Sequence, residues 1–379
     1  MSRDDKRSFA ELLSPFLRGR LEALKAEHGQ DSPAYLSLAR QYLADEREAE
    51  IDFLEERSRH YQADVSLSWE GRPLVGVERL YRRVVILEPT LACLSHCRWC
   101  LRANYEPFTV RPEDLERFAH YAGSPANRDD LQEVLITGGD PLLVPQMVGK
   151  AMDLISRHAP NIHTIRIGSR LPMQDPGRVD EPLIQAISPR AGLRVEIGTH
   201  INAPVELCPE TKAACRRLQE AGITIYSQHV LLRGVNDTLE TQAELFNAVR
   251  LQGIEPHYLF HCIPLRGVSH HRTTIDQGLA LIRALTSSGL ISGRAKPMFT
   301  AMTDVGKVTL YDGVMIERRS DMVLLQTGYL HEDRLRWNPS WVLPDSAYVD
   351  SQGFLRVWYR DGQIHNKGWR PTAFLGGDH

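Results

Sequence analysis

Between about residues 84 and 300 the sequence alternates short β-rich runs with helical stretches, and this alternation constrains the fold most. The β-rich runs are VVILEPTL, EVLITGG, HTIRIGS, LRVEIGTH, ITIYSQHVLL and EPHYLFHC. Helical stretches such as RPEDLERFAHYA and CPETKAACRRLQEAG lie between them. Such alternation implies an α/β fold with a parallel sheet and right-handed crossovers. Six units predict a partial barrel or an open doubly wound sheet, with function at the carboxyl ends of the strands.

The two ends of the chain follow other patterns. Residues 1 to about 60 carry apolar positions at spacings of three and four, which predicts helices in an N-terminal cap or an oligomerisation element. After about residue 300 the runs VTLYDGVMIERR, MVLLQTGYL and GFLRVWYRDGQIH predict short strands, the last a hairpin around Asp361-Gly362. We expect a helical extension over 1–75, the barrel over 76–300 and a β-rich extension over 301–379.

Composition bears on location and partners. A formal net charge of -3 gives no electrostatic reason to expect nucleic acid or an anionic membrane surface. The start MSRDDKRSFAELLSPFLRGR lacks the apolar stretch of a signal peptide. No segment approaches the ~18 uninterrupted apolar residues that a membrane-spanning helix needs. The expectation is a cytoplasmic protein with no membrane or nucleic-acid partner.

Three of the six cysteines fall within eight residues, directly after the first predicted strand. The run LEPTLACLSHCRWCLRANY places Cys93, Cys97 and Cys100 in a C-x3-C-x2-C arrangement. Three thiolates can hold three irons of a cubane and leave the fourth open to a chelating small molecule. The alternative is a structural zinc site with His96 as fourth ligand, but the usual zinc spacings include a second ligand pair that this chain does not show. We interpret the triad as a [4Fe–4S] site.

This loop, placed after strand one of a six-fold βα unit, resembles the radical S-adenosylmethionine (SAM) superfamily. The resemblance implies a partial (β/α)6 radical SAM barrel whose open iron binds the amino and carboxylate groups of SAM. Reductive cleavage, with electrons from an external donor such as flavodoxin or ferredoxin, then yields a 5′-deoxyadenosyl radical. Gly138-Gly139-Asp140 looks like the superfamily motif that contacts the SAM amino group, although alone it would be a strand-to-helix turn.

From about 84 to 330 the sequence resembles the lysine 2,3-aminomutase family within that superfamily. The runs LRVEIGTHINAPVEL and AGITIYSQHVLLRGVND are similar to the family's fourth and fifth strands. By position, His200 and Gln228 match residues that contact SAM, although such a His alone is more often structural. Arg102 matches the arginine that grips the substrate α-carboxylate, a task suited to a planar guanidinium.

The family carries pyridoxal 5′-phosphate (PLP) on a lysine in a glycine-rich loop, and Lys307 in TDVGKVTLYDG matches that lysine. The resemblance therefore implies a catalytic, PLP-binding role for Lys307, whose amine can form a Schiff base. Only Gly306 of the glycine run remains. Val84 stands where the family has a phosphate-binding arginine, and Arg83 beside it is a candidate replacement.

Lysine-specific members hold the substrate ε-ammonium with two aspartates. The corresponding positions here are Ile263 and Thr300, with Asp304 nearby in the altered loop. An ammonium without an anion in a closed site is costly, so we do not expect lysine as the substrate. A nearby group of basic residues could favour an acidic or polar side chain, or could simply be solvated: His261, Arg266, His270, His271 and Arg272.

The sequence therefore favours an isomerase, a PLP-dependent 2,3-aminomutase acting on an amino acid other than lysine. The alternative is a PLP-independent radical SAM enzyme that epimerises, oxidises or rearranges another small molecule. A zinc-stabilised binding or structural protein is a third reading. The substrate, the stereochemistry, the role of the stretch after about 330 and the presence of a homo-oligomer stay open.

Overall fold

A computed structural model describes residues 10–49 and 65–363 of the chain. Its main body is a ten-stranded sheet whose strands follow sequence order. The strands are β1 Ser66–Trp69, β2 Arg72–Glu78, β3 Val84–Thr90, β4 Glu133–Gly138, β5 Thr164–Gly168, β6 Arg194–His200, β7 Thr224–Leu231, β8 Glu255–His261, β9 Met298–Thr303 and β10 Gly306–Thr309. Strands β3 to β9 pair in parallel, whereas β1, β2 and β10 pair antiparallel at the two edges.

The mostly parallel α/β sheet confirms the predicted fold class, and the six predicted strands are β3 to β8. The sheet stays open, since no pairing joins its first and last described strands. It also has a seventh parallel strand, β9. Strands β1 and β2 were not expected, because they lie within or across the segment assigned to the helical extension. Glu70 and Gly71 both have positive φ, which suits the two-residue turn of the hairpin between them.

Helices connect the parallel strands and form the N-terminal part. They are α1 Pro15–His28, α2 Pro33–Tyr42, α3 Pro112–Gly123, α4 Pro145–His158, α5 Leu171–Gln174, α6 Glu181–Ile187, α7 Pro209–Glu220, α8 Leu239–Leu251, α9 Ile275–Ser287 and α10 His331–Trp337. Ser14 and Ser32 cap α1 and α2 by accepting backbone N–H groups, and Thr238 and Thr274 do the same for α8 and α9. The rest of the predicted N-terminal helical region, residues 1–9 and 50–64, lies outside the described residues.

The alternation of side chains along each strand separates a buried layer from an inner cavity wall. In β4, Val134 and Ile136 are fully buried and belong to the cluster that also holds Phe118 and Ile155 of the covering helices. The residues between them face the other way, and Leu135 lines a cavity. The helices therefore cover the outer face of the sheet, and its inner face remains available for a site.

A second, four-stranded antiparallel sheet follows the main one, in the order β11-β12-β14-β13. Its strands are β11 Met315–Arg319, β12 Met322–Leu330, β13 Ala347–Val349 and β14 Phe354–Arg360. Asp361 accepts the backbone N–H of Ile275 at the start of α9, at 2.8 Å. The return strand of the predicted hairpin falls on residues outside the described part. The division of the chain into three segments at residues 75 and 300 stays a prediction.

In the described residues no helix is long and apolar enough to cross a membrane.

We expect Phe246→Ala to lower the free energy of unfolding by about 3–5 kcal/mol, because Phe246 is fully buried between α8 and the sheet. Leu251→Ala is a matched control on the same helix, since Leu251 is 84% exposed, and its effect should stay within ~0.5 kcal/mol. Urea unfolding followed by circular dichroism measures both. Equal losses in the two variants would contradict this packing of α8.

Candidate active site

The carboxyl ends of the parallel strands surround a cavity of about 270 Å³. Every site residue expected from the sequence lines it: Cys93, Cys97, Cys100, Arg102, Gly138, Gly139, Asp140, His200, Gln228 and Lys307. They come from five separate places in the chain, and the sheet topology brings them together.

The three cysteines lie on the loop after β3, each partly buried. Burial raises the pKa of Cys100 to about 11 and also raises the pKa of Cys93. Bare thiolates are therefore disfavoured at Cys93 and Cys100, and a bound iron cluster would supply the positive charge that they need. No three His, Cys, Asp or Glu side chains in the described residues converge closely enough to ligate a single ion. Three thiols on one cavity wall suit a cubane, in which each thiolate bonds its own iron.

The two glycines after β4 pack against the backbone that leads into the cysteine loop. A Cβ on Gly138 would lie 2.3 Å from the carbonyl oxygen of Thr90, and one on Gly139 would lie 2.2 Å from that of Ala92. The backbone N–H of Gly139 donates to the carbonyl of Thr90, and the backbone N–H of Asp140 donates to the carbonyl of Ala92, both at 2.8 Å. Only glycine fits these positions. The missing Cβ atoms therefore let this segment approach the cysteine loop closely.

Asp140 joins the ends of two strands. One carboxylate oxygen accepts the hydroxyl of Ser169 at 2.7 Å and the backbone N–H of Leu142 at 3.1 Å. The other accepts the backbone N–H of Arg170 at 2.9 Å. The buried carboxylate thus ties the end of β4 to the end of β5, and its role toward SAM stays a prediction.

His200, the last residue of β6, pairs with Gln228, which lies inside β7. Burial and the charge of Arg170 lower the pKa of His200 to about 3, so the imidazole is neutral. Its Nδ1 is buried and has no hydrogen-bond partner in the described residues, and the same holds for Nε of Arg170. Both side chains line the cavity. Buried polar atoms without partners fit a polar ligand such as SAM.

The guanidinium of Arg102 is held by two buried glutamates. Its Nε donates to Glu88, and its Nη2 lies 3.4 Å from a carboxylate oxygen of Glu78. Burial and the neighbouring charge of Glu88 raise the pKa of Glu78 to about 8. These acidic partners were not foreseen from the sequence. They fix the guanidinium at the cavity wall. Binding of a substrate carboxylate by Arg102 stays a prediction.

Lys307 extends from β10 into the same cavity. Its ammonium lies 4.7 Å from the ring centroid of Tyr258 and 5.6 Å from that of Phe260. No carboxylate in the described residues is within ion-pair distance of it. Burial and the positive charge of Arg166 lower the pKa of Lys307 to about 8. A lysine in this state has a substantial fraction of neutral, nucleophilic amine near neutral pH.

The cavity offers fewer suitable cationic side chains for the phosphate of PLP than for its aldehyde. Val84 does not line the cavity, and Arg83 points away from it, donating to the carbonyl of Asp129 at 2.7 Å. Arg166 lines the cavity, but it pairs with Glu133 at 3.0 Å and with Glu196 at 3.4 Å. The amine of Lys307 therefore fits the aldehyde of PLP. Arg166, the cation considered for the phosphate, is already paired with two glutamates.

The basic group that could have favoured an acidic substrate is mostly structural. His261 lines the cavity, but it bonds the hydroxyl of Tyr359 and the carbonyl of Thr273, and burial lowers its pKa to about 4. Arg272 donates to the carbonyls of Cys262 and residues 360–361. His270 and His271 are buried and stack on each other. Ile263 lines the cavity, whereas Thr300 and Asp304 do not.

Sequence reasoning missed two arginines in the cavity wall, Arg166 and Arg170. Both belong to the run HTIRIGSR, at and just after the predicted third strand. Their position at a strand's carboxyl end was the available signal. Tyr81, which also lines the cavity, accepts the backbone N–H of Lys307 at 3.1 Å and was likewise not singled out.

Comparison with known proteins gives two kinds of match. A family profile described as the radical SAM superfamily matches residues 87–245. The chain is 31% identical to the L-lysine 2,3-aminomutase of Clostridium subterminale over 256 residues, which is 67% of this chain and 61% of that protein. It is 29% identical to the L-lysine 2,3-aminomutase of Escherichia coli over 222 residues, 59% of this chain and 64% of that protein. The chain thus spans about three fifths of the length of these curated relatives.

Solved structures with a similar backbone were also found. A radical SAM methyltransferase from Sphaerobacter thermophilus aligns with 77% of this chain and 96% of its own, at 16% identity and a TM-score of 0.44. SuiB from Streptococcus suis, bound to S-adenosylmethionine, aligns with 58% of this chain and 50% of its own, at 14% identity and a TM-score of 0.43.

We expect Gly138→Ala to lose most of its iron, because the added methyl group would overlap the carbonyl of Thr90 and displace the cysteine loop, and because alanine is also strained at this positive φ. Gly192→Ala is a matched control. Gly192 also has positive φ, but a Cβ there meets nothing within 4 Å, so its variant tests an alanine at positive φ without the steric overlap. Iron per chain after anaerobic reconstitution is the measurement. Full iron binding by Gly138→Ala would show that the loop does not depend on this contact.

Proposed function

The chain belongs to the radical SAM superfamily and is related to the L-lysine 2,3-aminomutases, and on that premise we propose a PLP-dependent 2,3-aminomutase that acts on an amino acid other than lysine. The observation that carries the proposal is the position of Lys307. Its amine, with a pKa of about 8, lies in the same cavity as the cysteine triad although the two are far apart in sequence.

The cysteine side of the cavity would hold the cluster and SAM. Cys93, Cys97 and Cys100 would ligate three irons. SAM on the fourth iron would supply, on reduction, the radical that removes a substrate hydrogen atom. His200 and Gln228 lie side by side on the neighbouring strands β6 and β7, and the unpaired Nδ1 of His200 would accept a hydrogen bond from a ligand.

The opposite side would hold the amino acid. PLP, when bound, would carry the amino group of the substrate and allow its migration between neighbouring carbons. Lys307 would hold the cofactor between turnovers, and the rings of Tyr258 and Phe260 restrict where its amine can move. Arg102, fixed by Glu78 and Glu88, would bind the substrate carboxylate.

The charges in the cavity wall argue against a substrate with a cationic side chain. Among the described lining residues Asp140 is the one carboxylate, and its oxygens already accept three hydrogen bonds. A substrate ε-ammonium would find no free anion there, whereas apolar groups such as Ile263 and Met302 are available. We infer that the substrate side chain is uncharged or short.

A second candidate is a PLP-independent radical SAM enzyme that epimerises, oxidises or rearranges another small molecule. The phosphate side of the site favours it. Val84 replaces a phosphate-binding arginine, Arg83 is turned away, and Arg166 is paired with two glutamates. In that case Lys307 would act directly on the substrate, as a proton donor or acceptor with a pKa suited to neutral pH.

The deciding experiment is borohydride reduction of the anaerobically reconstituted chain after incubation with PLP, followed by peptide mapping. The expected result is a pyridoxyl group on Lys307 that is absent from Lys307→Ala and retained in Lys296→Ala, which removes an exposed lysine. Formation of 5′-deoxyadenosine from SAM with dithionite is measured in parallel. SAM cleavage without the Lys307 adduct would favour the second candidate. If the chain neither bound iron nor cleaved SAM, both candidates would be overturned.

The rate of PLP trapping should rise with pH and reach half its maximum near pH 8, because only the neutral amine of Lys307 attacks the aldehyde. The pKa of this lysine is lowered on folding, so the neutral form gains population through that range. An ordinary lysine would continue to gain reactivity up to about pH 10.4. Quantifying the Lys307 peptide from pH 6.5 to about 10 tests this. A midpoint near that of an ordinary lysine would contradict the buried position of the amine.

A further inference from the structure

Arg170, just after β5, is hydrogen-bonded to one of the three cysteines. Its Nη1 lies 3.0 Å from Sγ of Cys97. The guanidinium is buried, with its centre 5.0 Å from the ring centroid of Tyr42 and 5.4 Å from that of Trp99. The amide of Gln174 approaches the same sulfur at 3.6 Å. A permanently charged donor is therefore directed at a cysteine that would ligate the cluster.

The other edge of the guanidinium is anchored from two directions. Nη2 of Arg170 donates to Glu206 at 2.6 Å and to the side-chain oxygen of Gln41 at 3.1 Å. The Gln41 amide in turn donates to Glu206 at 3.1 Å, and Gln41 accepts from Asn202 at 3.0 Å. All of these side chains are buried. The guanidinium has little freedom to turn away from the sulfur.

Gln41 belongs to α2, so the N-terminal part of the chain takes part in this arrangement. The backbone N–H of Arg98 donates to the carbonyl of Gln41 at 2.9 Å, and that of His96 donates to Leu12 at 2.9 Å. Ser14 donates its N–H to the hydroxyl of Ser95 at 2.9 Å. The N-terminal helices are therefore bonded directly to the cysteine loop and supply part of the Arg170 anchor.

We propose that Arg170 is a positioning residue that raises the reduction potential of the cluster, with Gln41 and Glu206 holding its guanidinium against Cys97. The oxidised cluster gains one electron from an external reductant, and the added negative charge spreads onto the thiolate sulfurs. A cationic N–H donor stabilises the reduced cluster more than the oxidised one. The proposal rests on the cluster of the proposed function, but it needs neither PLP nor the substrate.

The test is an anaerobic potentiometric titration of reconstituted chain, followed by the electron paramagnetic resonance signal of the reduced cluster. In Arg170→Gln the ratio of oxidised to reduced cluster at a fixed potential should rise about tenfold, which equals 59 mV for one electron. Arg170→Lys keeps the charge and should shift less. Gln41→Leu removes one anchor and should shift in the same direction, also by less.

Arg217→Gln is the matched control, because Arg217 donates to the carbonyls of Pro176 and Val179 and does not line the cavity. Its ratio should equal that of the unmodified chain. An unshifted ratio in Arg170→Gln, or in Gln41→Leu if Arg170→Gln takes up no iron, would overturn the proposal. Absence of iron from the unmodified chain would instead overturn the cluster, and with it the proposed function.

Discussion

The contact between the end of β4 and the backbone before Cys93 is the interaction on which the rest of the site depends. Gly138 and Gly139 permit it because neither has a Cβ, and two backbone hydrogen bonds of 2.8 Å fix its register. Asp140 then transfers that position to the end of β5 through Ser169 and Arg170. The placement of the cysteine loop is thus set by main-chain geometry, which leaves the side chains of the neighbouring strands free for chemistry.

The parts of this arrangement that were predictable from sequence are those encoded in local patterns. The βα alternation predicted the sheet, and the sheet places strand ends together, so Cys97 and His200 line one cavity. Lys307 lines it too, but its place there was implied by the family resemblance and not by the alternation. The hairpin of β1 and β2 was missed because its signal is the short Glu70-Gly71 turn. The acidic partners of Arg102 were missed because Glu78 lies outside the parallel strands, and nothing in the pattern around Glu88 marks it as facing inward.

The N-terminal helices illustrate why long-range contacts escape such reasoning. Helical spacing predicted α1 and α2, but it gave two readings of their role, a cap or an oligomerisation element. The structure shows that Gln41 reaches Arg170 and Glu206, residues more than 120 positions away in the chain. A buried polar group must find partners wherever the fold provides them, and no local pattern records which ones.

The arginines of the cavity wall each lie beside acidic side chains, whereas the lysine of the described wall does not. Arg102 and Arg166 each lie beside two glutamates, and Arg170 lies between a glutamate and a thiol. Lys307 has no such partner in the part of the chain that the structure describes. Burial and the neighbouring Glu88 raise the pKa of Glu78 to about 8, so the proton is held by Glu78 more strongly than by an ordinary glutamate. A carboxylate that arrives at Arg102 therefore meets less negative charge than two ordinary glutamates would present. Its arrival would also raise the proton affinity of Glu78, so binding at Arg102 and retention of that proton favour each other.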